Sequence, residues 1–260
     1  MRLPQRRRVT QLGLLLALLG VWQALSSLGV LDPEIASSPA AVASAWWRWF
    51  TSGDLVRDCA TSLGRVGLGM LLATGVAVPL ALAAGAIPAL DRQLAPVVEL
   101  LRPIPPIAWV PLALLWFGIG VRAAAAVVFV GAFFPIFTAV YTGVVEVDAS
   151  KVNAARSLGA GRRQVMMEIH ARAALPSLFL GLRVGVGMAW MSVIAAELVG
   201  VRSGLGYRIQ LAQTLLQTDL VIAGMLTIGA VGLCMVAALG AVERLTIPWH
   251  TRPRRELRTA

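Results

Sequence analysis

The chain has 260 residues, 58% of them hydrophobic and 14% charged, with a mean hydropathy of +0.77. A soluble domain carries about 25% charged residues, so much of this surface does not face water and an ordinary soluble fold is excluded. The net charge of +10 is no nucleic-acid footprint, because the arginines flank apolar runs and do not gather on a polar domain.

A helix needs about 20 largely apolar residues to cross a ~30 Å hydrocarbon core. After a basic N-terminal segment, 1–9, with Arg6, Arg7 and Arg8, the first span is expected over 10–30. Its apolar run exceeds the ~7–15 residues of a signal-peptide core, and Trp22 suits an interface anchor. A retained span is therefore expected over cleavage near Ala24 to Ser26. Next, 38–50 opens with a Ser-Pro helix start and clusters Trp46, Trp47 and Trp49, the pattern of an amphipathic helix lying at the interface. Further spans are expected over 61–86, 96–118, 123–145, 175–199 and 220–239, six in all. A short helix is expected within 204–217, after Gly204 and Gly206. The predicted organisation is an all-α polytopic membrane protein with one membrane domain, 10–246, and a basic tail, 247–260.

With the N-terminus placed inside, the outer segments hold only Arg48, Arg57, Arg122, Arg202 and Arg208, and the other flanking cations lie inside. That bias puts both termini in the cytoplasm, consistent with an even number of spans. The longest inside segment, 146–172, is also rich in arginine. Cys59 and Cys234 lack CxxC spacing, and no disulfide or metal site is expected from them.

Within that inside segment, 153–176 reads NAARSLGAGRRQVMMEIHARAALP. Good helix formers occupy 153–158, and Gly159 stands where a C′ glycine ends a helix. A second helix is expected from after Gly161 to Pro176. The product is a helix, a glycine elbow and a helix projecting from the membrane. Ala154 and Ala155 keep one side small, so a partner can approach closely, and the arginines offer charge-assisted contacts.

Ionisable groups inside spans mark function more often than elsewhere. Arg65 and Glu197 lie near outer span ends, where snorkelling to the headgroups accounts for them. Arg183 is deeper, and is expected to stabilise the bundle interior or to favour an anionic solute. Pro103, Pro105, Pro106 and Pro111 predict bending of the third span, with freed carbonyls tolerated beside protein or a water-filled path. Pro103, Pro106, Trp109, Arg183, Trp190 and Glu197 are the pathway candidates, although Trp109 and Trp116 also suit packing or the interface. Gly181, Gly185 and Gly187 are candidates for close helix contacts.

The single lysine, Lys151, follows Val147-Asp148-Ala149-Ser150, which is not a glycine-rich phosphate loop. ATP hydrolysis by this chain is therefore excluded. His170 and His250 lack metal-ligand spacing, and no catalytic or metal residue is assigned. An ion-coupled secondary transporter should show inverted repeats and midplane carboxylates; neither is evident in the sequence.

The spacing of Ala154, Ala155, Gly159 and Ile169 resembles the EAA loop of binding-protein-dependent ATP-binding-cassette importers. Asn153 stands where that motif is acidic and Arg172 where it has its first proline, while Pro176 matches the second. The ordered series ELLRPIPPIAWVPLALLWFGIG (99–120), LGLRVGVGMAW (180–190), AAELVG (195–200), SGLGY (203–207), LQTDLV (216–221) and ERLTIPWH (243–250) is similar to the taurine, alkanesulfonate and nitrate branch. The resemblance implies a type I importer permease that imports a small anion, taurine or another aliphatic sulfonate, with nitrate, bicarbonate or another small solute as the alternative. It implies a bacterial inner-membrane location and a homodimer of two copies. The partners implied are ATPase subunits inside, which bind ATP and Mg²⁺, and a substrate-binding protein outside; no cofactor is implied for this chain. In the implied coupling loop, Asn153, Ala154, Ala155, Arg156, Ser157, Gly159, Ala160 and Arg163 would contact the ATPase.

Overall fold

A computed structural model of the chain describes residues 5–28 and 37–247. Every regular element among them is helical, as hydrocarbon requires of a backbone whose polar groups must be satisfied internally. In chain order they are α1 (Gln5–Ser27), α2 (Pro39–Thr51), α3 (Asp54–Ala86), α4 (Pro88–Leu101), a 3₁₀ turn (Pro106–Trp109), α5 (Val110–Phe117), α6 (Val121–Val145) and α7 (Ala149–Ser157). Then come α8 (Arg162–Gln164), a π turn (Val165–His170), α9 (Ala171–Ala173), α10 (Leu175–Gly200), α11 (Leu205–Thr214) and α12 (Thr218–Thr246).

Among the described residues, α3, α6, α10 and α12 are long and apolar enough to cross a membrane. Pro88–Leu101 and Pro106–Phe117 make a fifth if they are one span, bent by 94°. The proline-rich 102–106 segment explains the break: proline lacks the amide donor and disfavours the α conformation in the residue before it. The expected first span falls on α1, whose 23 residues would reach about 34 Å at ~1.5 Å each. Several of its side chains lie outside the described residues, as do 29–36 and the tail from Pro248.

The chain divides into two compact units. One comprises 1–61 and 203–230, the other 62–202 and 231–260.

In the first unit, Ser38 caps α2 by accepting from the Ala41 amide, and Pro39 sits in the first turn, where its missing donor costs nothing. Val42, Ala45 and Trp49 are buried, while Trp47 and Phe50 are exposed. The amphipathic reading of 38–50 thus holds for one face of α2. Its other face is bound to protein: the Trp49 indole donates to Asp58 at 3.2 Å, and the Trp46 indole to Thr227 at 3.2 Å.

In the second unit, α6 and α10 form the packed centre, with α6 the most buried of the four spanning helices. A Cβ added to Gly181 would stand 2.8 Å from the Cβ of Ala139, and one on Gly185 would stand 3.1 Å from Ile136. These two residues, one turn apart, let α10 lie against α6 as small residues do in membrane bundles. Gly187 has nothing within 4 Å of that position, so the expectation of a close contact fails there. Two residues beyond Gly185, it points about 200° around the helix, away from α6.

Candidate functional site

The 146–172 segment folds as the helix, elbow and helix expected, with one change. Asp148 caps α7 by accepting from the Ser150 amide at 2.8 Å. At the other end Gly159 has φ +89°. Its amide donates to the Arg156 carbonyl, and the Ala160 amide donates to the Ala155 carbonyl, both at 3.0 Å. These paired bonds form a Schellman cap, which favours glycine at the left-handed position. The second helix is no plain α-helix: a π turn separates α8 from α9. Such turns are rare and insert one residue per turn, a change that apolar periodicity does not register.

Asn153, Ala154, Ala155, Arg156 and Ser157 lie on α7, which buries none of its residues. Gly159 and Ala160 form the elbow, and Arg163 lies exposed on α8. All eight coupling-loop candidates thus lie on one continuous stretch of chain, whose helix α7 buries none of its residues. Leu158, missed from the sequence, is 89% exposed at the tip of the elbow. Its signal was an apolar residue closing an otherwise small and polar helix.

The pathway candidates separate into three settings. Pro103 and Pro106 flank the break before α5, and Trp109 ends the 3₁₀ turn. Trp109, Trp116, Phe117, Phe129, Phe133 and Phe134 are among the residues around a cavity of about 460 Å³. Its lining contains no charged side chain, and the Trp109 indole nitrogen is buried without an acceptor. Such walls can admit a solute but offer it no ionic anchor. Trp190 packs its indole against Gly232, where an added Cβ would stand 3.0 Å from the ring.

Arg183, Trp190 and Glu197, seven residues apart, fall on one stripe of α10. Arg183 is half exposed and pairs with Glu243. Glu197 is wholly buried and pairs with Arg65, itself 3% exposed, at 2.6 Å. Ser62 donates to the same carboxylate, 2.8 and 2.9 Å from its two oxygens. Snorkelling is thus the wrong account of Arg65 and Glu197: their side chains turn into the bundle and neutralise each other. The two residues are 132 positions apart, and no local pattern in the sequence links them.

In the other unit, Arg208 of α11 reaches Asp54 and Asp58, each at 3.0 Å, and lies 5.8 Å from the centre of the Trp49 ring. Burial works against its cation, but hydrogen bonds and charge from Asp58, then Asp54, prevail and raise its pKa. Arg48 reaches Asp219 at 3.3 Å. Among the described residues no group of three or more His, Cys, Asp or Glu could hold a metal.

Residues 75–247 match the family of binding-protein-dependent transport system inner membrane components. The chain belongs to that family. It is a permease, the non-catalytic transmembrane component of an ATP-binding-cassette importer. This permease is 35% identical to the taurine transport system permease protein TauC of Escherichia coli (strain K12), over 96% of this chain and 93% of the relative. It is 42% identical to the putative ABC transporter permease protein MJ0413 of Methanocaldococcus jannaschii, over 76% and 75%. It is 32% identical to the putative aliphatic sulfonates transport permease protein SsuC of Bacillus subtilis (strain 168), over 95% and 91%. Among solved structures, an inward-facing conformation of the MetNI methionine ABC transporter matches with a TM-score of 0.56 at 24% identity. That match covers 73% of this permease and 97% of the solved chain, and it establishes the fold alone.

Proposed function

We propose that this permease carries a small organic sulfonate, taurine or a close relative, into the cytoplasm. The observation that supports the reading most is the 35% identity to a taurine permease along 96% of the chain. Two copies would enclose the pathway, with both termini and the 146–172 segment in the cytoplasm. A binding protein would deliver solute outside, and ATPase subunits would grip α7 and the Gly159 elbow inside.

ATP binding and hydrolysis in those subunits would supply the free-energy difference between inward- and outward-facing states. The exposed α7 suits this role: its alanines permit close approach, Leu158 offers an apolar knob, and Arg156 and Arg163 offer charge. Apolar walls around Trp109 favour passage over retention, which leaves choice of solute mainly to the binding protein. The second reading, bicarbonate, is favoured by 31% identity to the bicarbonate transport system permease protein CmpB of Synechocystis, over 90% of this chain.

The test is uptake by proteoliposomes holding the permease, its ATPase and its binding protein. Labelled taurine should accumulate only with ATP inside and binding protein outside. Accumulation of bicarbonate or nitrate in place of taurine would sink the sulfonate reading. Uptake by the permease alone without ATP would sink the importer mechanism.

A further inference from the structure

Beside the elbow lies a cavity of about 390 Å³, which shares Arg156 with the surface proposed for the ATPase. Ile87 and Pro88, where α3 gives way to α4, form one side, and Arg156, Arg162, Met166 and His170 form another. Among the described residues neither arginine has a carboxylate partner. No carboxylate lines the cavity. The Nδ1 of His170 is buried without a hydrogen-bond partner.

Each observation points to the same ligand chemistry. Two guanidinium groups are the side chains best suited to a tetrahedral oxyanion, which they bind through paired hydrogen bonds. A buried ring nitrogen without a partner is costly, and an anion oxygen accepting from Nδ1–H would satisfy it. At ~30 Å³ per water, the volume holds about a dozen waters, ample for a phosphate group. The cavity lies at the C-terminal end of α3, a helix long enough to span; such an end would meet the phospholipid headgroups, where basic pockets bind anionic lipids. Ile87, 46% exposed, offers an apolar surface beside it.

We propose that this cavity is an oxyanion site for a phosphate group, supplied by a phospholipid headgroup or by free phosphate. The proposal is independent of which solute the permease carries. It requires only that 146–172 lie outside the hydrocarbon.

The test uses the full permease with its ATPase, reconstituted in nanodiscs. In one arm, discs of phosphatidylcholine with phosphatidylglycerol are compared by native mass spectrometry for anionic lipid retained on the complex. In the other, inorganic phosphate is titrated calorimetrically into complexes held in phosphatidylcholine alone. Wild type should retain one more anionic lipid per permease than R162Q/H170Q, or bind phosphate about tenfold more tightly, in keeping with loss of charge-assisted bonds. Loss in the first arm identifies a lipid; loss confined to the second identifies free phosphate. Arg172→Gln, the same charge change at an exposed residue outside the cavity, should leave either signal within about twofold. If the double variant does not fold, Arg162→Gln alone carries the comparison, since its side chain is exposed. No difference from wild type in either arm, or an equal loss in Arg172→Gln, overturns the proposal.

Discussion

Removing one partner of the Arg65–Glu197 pair should damage this permease more than removing both. Glu197→Ala takes from the Arg65 guanidinium, 3% exposed, its 2.6 Å carboxylate partner. It also removes the acceptor of Ser62, 2.8 and 2.9 Å away. Breaking a buried pair in this way costs about 3–5 kcal/mol. Replacing both charges by apolar groups, Arg65→Met with Glu197→Leu, removes the desolvated charges together and is often close to neutral. The assay is a double-mutant cycle on unfolding free energy in mixed micelles, with Arg65→Met, Glu197→Leu and the double variant beside wild type. Because the double variant escapes both single losses, the coupling should approach their sum, about 6–10 kcal/mol, and in any case exceed the ~3 kcal/mol upper end usual for residues in contact. Single variants that each cost under about 1 kcal/mol and add without coupling would refute the claim that the pair is a dry, mutually dependent unit.

Gly159→Val places a β-branched residue at φ +89°, costing at least ~1–2 kcal/mol locally; co-purification should show a weakened hold on the ATPase while the spans stay folded. Leu158→Asp should leave the melting temperature within about 1 °C, since the side chain is 89% exposed and surface changes are small. It should still lower ATP-driven uptake if Leu158 enters the ATPase. Gly181→Leu would force side-chain atoms into Ala139 and Ile136, costing about 1–3 kcal/mol or more, whereas Gly187→Ala should be tolerated; thermal unfolding of the two variants separates them. Arg208→Gln, at a site a quarter exposed, should cost no more than ~1 kcal/mol, read by unfolding in detergent, with a larger loss under low salt than high.

The helices were legible from the sequence because hydrocarbon imposes a simple rule, a long apolar run, and α3, α6, α10 and α12 obey it. The elbow was legible for a different reason: only glycine takes the left-handed cap without strain, so Gly159 announced the end of α7. The break before α5 was visible as a proline cluster, but its 94° angle was not, since bending and breaking share one composition. Gly187 shows the limit of counting small residues. Three glycines in seven positions look equivalent in a string, and only the helical phase set by α6 separates the pair that packs from the one that does not. The π turn was invisible because it changes register without changing composition.

The two charges of α10 show most clearly how tertiary structure alters a functional reading. As isolated residues, Arg183 invited an anion and Glu197 would repel one. The fold gives each a partner: Arg183 has Glu243, and Glu197 has Arg65 with Ser62. Paired charges present little net field to a passing solute, and the cavity beside Trp109 is lined by uncharged residues. The ion pair with Glu243 therefore favours a stabilising role for Arg183 over an anion-attracting one. If the proposed pathway runs past these residues, it would have little with which to choose among small anions, so similarity to permeases of sulfonates and of bicarbonate could coexist in one chain. Under the proposed function, selectivity would belong to the protein that delivers the solute, and a change of substrate would require a new delivery surface more than a new membrane interior.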